Sequence, residues 1–96
     1  MAVKHVVWIK FKDAVTPERV SEHVRALKDL TVRVPGIVDL AVGANFTDRA
    51  NGFTHGLVVT LEDRAALDRY AAHPAHVEVA TALRSDADLQ ALDYEF

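Results

Sequence analysis

An α+β domain is predicted, with one antiparallel sheet and its helices gathered on one face. Three observations predict it. Apolar residues alternate over residues 3–12 and again over 53–61, the period of a strand. A stripe at helical spacing fills residues 16–34 between strand candidates, and a second helical stretch follows residue 61. Residues 47–52 are polar and contain an Asn-Gly pair, the signature of a hairpin loop.

The first strand sets Val3, His5, Val7, Ile9 and Phe11 on one side and Lys4, Val6, Trp8, Lys10 and Lys12 on the other. Thr16 then supplies a helix N-cap, with Pro17 at the first helical position and Glu18 in the first turn. Val20, Val24, Leu27, Leu30 and Val34 continue for about five turns until Pro35-Gly36 stops the helix. Residues 37–46 are a second strand. Phe53, His55, Leu57, Val59 and Leu61 alternate with Thr54, Gly56, Val58 and Thr60 in a third. Residues 62–72 turn helical, with Leu67, Tyr70 and Ala71 on one face. Pro74 interrupts this helix, and His73 caps a new one that carries Val77, Ala80 and Leu83 inward and ends near Arg84-Ser85. Residues 88–96 form the last strand.

The resulting order, β-α-β-β-α-β, is the split βαβ pattern of ferredoxin-like domains, in which the first and third strands lie side by side at the centre of the sheet. His5 and His55 share the parity of the large aliphatic residues on those strands, so both point toward the helices, on adjacent inward positions. The other face is also apolar, with Val6, Trp8, Val38, Leu40, Val42 and Val58 as its members. One helical layer cannot cover both faces, and an apolar patch of that kind marks an interface. A homodimer packed sheet against sheet through the face carrying Trp8 is therefore expected.

Ninety-six residues, 50% apolar and 26% charged, suit one globular domain over residues 1–96. Eleven Lys and Arg against fourteen Asp and Glu leave a net charge of −3, which argues against nucleic acid as a partner. Val6-Val7-Trp8-Ile9 is the longest unbroken aliphatic or aromatic run, far short of a membrane span of ~20 residues. The strand pattern begins at Val3 and leaves no room for a leader, so a cytoplasmic location is expected. The absence of cysteine excludes a thiol nucleophile, a disulfide framework and a zinc–cysteine site.

Five histidines in so short a chain are the chemical feature. On an unbroken helix, six residues rotate by ~240° and would turn Tyr70 and His76 apart. The break at Pro74 resets the phase and lets them converge. A neutral imidazole suits removal of a proton beside a carbonyl, and a phenol suits donation to the enolate oxygen that forms. The same pair also fits a capped helix break in which a buried tyrosine hydroxyl is tied to an imidazole. His5, His55, His73 and His76 together admit a divalent-metal site, but His73 stands where a cap is needed and no carboxylate obviously completes the set. Neither a metal nor any other cofactor is expected. A cluster of polar rings among aliphatic side chains reads as a ligand cavity, with Val7, Leu27 and Leu57 as its apolar walls. His23 lies beside the stripe of the first helix and is expected to be half-exposed.

Lys4-His5-Val6-Val7 with Phe11-Lys12, the run Gly52-Phe53-Thr54-His55-Gly56, and Tyr70-Ala71-Ala72-His73-Pro74-Ala75-His76 resemble the stress-responsive dimeric α/β-barrel (Dabb) domain family, along the whole chain to Asp93-Tyr94. The resemblance implies a ferredoxin-like monomer pairing into a dimeric α/β barrel. It also implies catalytic roles for His76 and Tyr70, because a characterised plant member is a cofactor-free polyketide cyclase whose His and Tyr match them. Further pocket histidines of that member match His5 and His55. Where it carries aromatic pocket side chains, the first helix here offers His23, Val24 and Leu27, which argues against a long apolar tail on the ligand. The expected function is binding of a small, partly apolar carbonyl compound in a pocket lined by His5, His55, His73, Val7, Leu57 and Leu27. Three outcomes stay open: cofactor-independent cyclase, lyase or isomerase chemistry with His76 as base and Tyr70 as oxyanion donor; a non-catalytic stress or ligand-carrier protein; and, behind both, a metal-dependent oxygenase or hydrolase.

Overall fold

A computed structural model describes residues 1–96. Its elements are β1 (Val3–Phe11), α1 (Pro17–Arg33), β2 (Ile37–Ala44), β3 (His55–Leu61), α2 (Arg64–Ala72), α3 (Pro74–Asp86) and β4 (Ala87–Glu95). The four strands form one antiparallel sheet in the order β2-β3-β1-β4. The fold is α+β and ferredoxin-like, with the two strands of the His-bearing face at the centre. The core lies between sheet and helices, where Val3, Ile9, Leu30, Val59, Leu61 and Tyr70 are almost fully buried.

Local chemistry explains the boundaries. Thr16 caps α1 by accepting the Arg19 amide, with Pro17 in the first turn. Asp63 caps α2 by accepting the Ala66 amide at 2.8 Å. In the β2–β3 loop, Asn51 (φ 53°) and Gly52 (φ 87°) are both left-handed, and the Phe53 amide donates to the Ala50 carbonyl. That is the type I′ geometry for which Asn-Gly is suited.

Three expectations are corrected. Leu40 and Val42 do not belong to the open face: a β-bulge between Ile37 and Asp39 leaves Val38 unpaired, reverses the parity and packs both against the core. Val77 is exposed, because α3 turns Ala75, Val79, Ala80 and Leu83 inward instead. His23 is buried, at 6% exposure, rather than half-exposed. Its Nε2 lies 2.6 Å from Asp86 Oδ2, which also accepts from the Arg19 guanidinium, so the polar ring enters the interior already partnered.

The open face carries Val6, Trp8 and Val58, and β4 adds Leu92 and Tyr94, which pair with Val6 and Lys4. Trp8 and Leu92 remain 45% and 65% exposed. No helix is long and apolar enough to cross a membrane.

Candidate active site

The break between α2 and α3 builds the site. His73 adopts an extended conformation (φ −65°, ψ 132°) and serves both helices: its amide donates to the Tyr70 carbonyl, and its Nδ1 accepts the Ala75 amide at 3.0 Å. One extended residue breaks the helical rotation, and the Tyr70 and His76 rings meet with centroids 4.3 Å apart. His76 Nδ1 lies 3.1 Å from the Ala71 carbonyl. A carbonyl only accepts, so Nδ1 carries the proton and Nε2 keeps its lone pair.

His5 enters from β1 and sets its ring edge-on to Tyr70, centroids 5.7 Å apart. It pairs across the strands with Asp93, whose Oδ1 accepts from Nδ1 at 2.5 Å. His5 Nε2 is thereby left free as well. Burial pushes the Tyr70 phenol up to about 12. Burial also holds His76 below the ordinary imidazole range; the Ala71 carbonyl opposes this, and the charges of His5, Arg84 and His73 add to it.

These rings line a cavity of about 360 Å³ between sheet and helices, within the usual size range for small-molecule sites. Six residues named from the sequence meet there: His5, Val7, Leu27, Leu57, Tyr70 and His76. The Tyr70 hydroxyl has no hydrogen-bond partner in the chain, yet no enclosed side-chain polar atom is left unpaired, so the phenol oxygen opens on the cavity.

His55 and His73 do not join them. In the observed register His55 faces Ile9, while His5 faces Val59, four residues further along β3. At the rise of a strand this separates the two histidines by about 14 Å. Shared parity put them on one face but not on adjacent positions. His55 lies against Phe11, with its Nδ1 bonded to the Thr54 hydroxyl, beside a wider and more open groove of about 490 Å³ between α1 and β2. Burial lowers its pKa too. His73 is engaged as the helix cap, so the four imidazoles do not converge, and no three His, Cys, Asp or Glu side chains gather in metal-binding geometry. The structure supplies the imidazole partner of Asp93 and adds a wall formed by Leu89, Ala91, Val79, Leu83 and Arg84 that sequence reasoning did not assign to the cavity. Pairing β4 residue by residue against β1 would have found its share, since Leu89, Ala91 and Asp93 face Ile9, Val7 and His5.

The profile of the stress-responsive A/B barrel domain matches residues 3–96. The chain belongs to that family. Among relatives, this A/B barrel domain is 34% identical over 87 residues to olivetolic acid cyclase of Cannabis sativa, covering 88% of this chain and 86% of the cyclase. It superposes on the crystal structure of an Arabidopsis thaliana protein with a TM-score of 0.90 at 33% identity, covering 98% of this chain and 94% of that one. A dimeric ferredoxin-like protein of unknown function from Jannaschia matches with a TM-score of 0.87 at 25% identity, covering 100% of both chains.

Proposed function

We propose that this A/B barrel domain binds a small, partly apolar carbonyl compound in the Tyr70–His76 cavity and removes a proton beside its carbonyl without a cofactor. The observation that carries this reading is the pair itself: two rings 4.3 Å apart on a cavity, with the His76 proton held on Nδ1 by Ala71. His76 Nε2 takes the proton, the electron pair of the C–H bond moves into the enolate, and the Tyr70 hydroxyl donates to the enolate oxygen. Attack of the enolate carbon on a second carbonyl of the same molecule closes a ring, and the imidazolium returns its proton to the new alkoxide. Lyase and isomerase reactions begin with the same abstraction. His5, oriented by Asp93, offers its free Nε2 as an acceptor that orients the substrate, while Val7, Leu27 and Leu57 hold the apolar part. The kinship with olivetolic acid cyclase supports a cyclisation. We further propose a cytoplasmic homodimer through the Trp8 face, a reading supported by the exposed apolar side chains there and by the dimeric relative from Jannaschia.

Deuterium uptake beside the carbonyl of 2-octanone in D2O, followed by NMR, tests the chemistry. Wild-type protein should raise the rate about 10²-fold over buffer, as positioned acid–base catalysis does, and His76→Ala should return it to the buffer rate. Uptake at the buffer rate with wild type would favour the second reading, a ligand carrier, to which the largely aliphatic wall of the cavity is equally suited.

A further inference from the structure

Among the residues lining the cavity, Arg84 alone carries a permanent charge, and no carboxylate faces it from the wall. It stands two turns beyond His76 on α3, so the two side chains share a helix face. Every ion pair within the chain leaves it out: Arg19, Arg33 and Arg64 hold Asp86, Glu78 and Glu95. Asp86 is also engaged by His23, and Asp93 by His5. The guanidinium charge reaches the reacting groups, since it contributes to holding His76 neutral. Arg84 is exposed at the rim, where its guanidinium is hydrated and open to an entering anion.

We infer that the ligand is an acid, with a carboxylate held by Arg84 at one end and its apolar body running toward Tyr70 and His76. This deepens the proposed function and rests on the cavity being a ligand site. The planar guanidinium offers two parallel N–H donors that match the two carboxylate oxygens. His76 and Arg84 are about 12 Å apart along the axis of α3. The reacting carbonyl is thus several bonds from the anionic group, and the substrate class is a keto acid with an aliphatic middle.

Titration calorimetry with octanoate and its neutral counterpart octanamide, at pH 8, separates charge from shape. Wild type should bind octanoate about tenfold more tightly than octanamide, the gain expected of a charge-assisted pair. Arg84→Gln should abolish the preference while holding octanamide affinity within about twofold, which also reports that the variant is folded. Arg84→Lys should keep part of the preference. Equal affinities in wild type, or a preference that survives Arg84→Gln, overturns the assignment to Arg84 and leaves the ligand cavity standing. Failure of wild type to bind either compound overturns the cavity reading and this inference together.

Discussion

At the scale of single residues, the pair Tyr70 and His76 owes its character to burial. The phenol, pushed up to about 12, stays protonated and able to donate across the whole working range of pH. His76 is depressed, so it remains an unprotonated base to lower pH than a free imidazole would. The sign follows: turnover should rise as pH increases through an inflection below ~6.5 and then hold level to at least ~9. An inflection above 7 would assign the base elsewhere. Tyr70→Phe and His76→Ala should each abolish turnover and leave Tm equal or higher, since residues placed for chemistry often cost stability. A fall of several degrees in both would make the pair a structural element. Much of this pairing was legible in the sequence, because Pro74 announces the break that brings residues six apart together. His55 was not so legible. Parity is local, but register depends on how a strand aligns with a distant partner, and a four-residue offset moved that histidine to another part of the face.

At the scale of elements, the α2–α3 joint does most to define the site. His73 accepts the Ala75 amide and ends α2 with its own amide. Replacing His73 by Ala should remove that cap and lower stability by about 1 kcal/mol. For a domain of this size that is a fall of about 4–8 °C in Tm. Asn, a better cap, should restore it. Thermal unfolding decides the point: identical Tm for wild type and the Ala variant would refute the capping role, whereas full turnover in the Asn variant would remove His73 from substrate contact. Most elements were readable from period and punctuation, down to the left-handed Asn51-Gly52 pair. The parity of β2 was not. A bulge has no marker in an unbroken run such as Ile37-Val38-Asp39-Leu40, and one unpaired residue sent Leu40 and Val42 to the opposite face. The burial of His23 escaped for a related reason: its partner Asp86 is 63 residues away.

At the scale of the whole molecule, a sheet with helices on one side leaves Val6, Trp8, Val58, Leu92 and Tyr94 without cover. Trp8 and Leu92 are too exposed for a lone domain to gain from burying them. A second copy laid over this face would remove them from water, at about 25 cal/mol for each Å² of apolar surface. Trp8→Glu places a charge in the middle of that contact and should give monomer or unfolded chain. Native mass spectrometry reads the outcome directly, and an intact dimer of the variant would refute the sheet-to-sheet arrangement. The need for a partner was visible in the sequence from the two apolar faces alone. Its full extent was not, because the contribution of β4 depends on pairing with β1.

The run His73-Pro74-Ala75-His76 divides its labour unevenly. The first residue caps, the second opens α3, the third is buried in the core, and only the fourth faces the cavity. A chain that has lost its reaction would still need the first three to fold. As a diagnostic of activity, then, the four-letter word holds one informative letter. Under the proposed mechanism the informative signature is a scattered one: Tyr70, His76 and the carboxylate that steers His5.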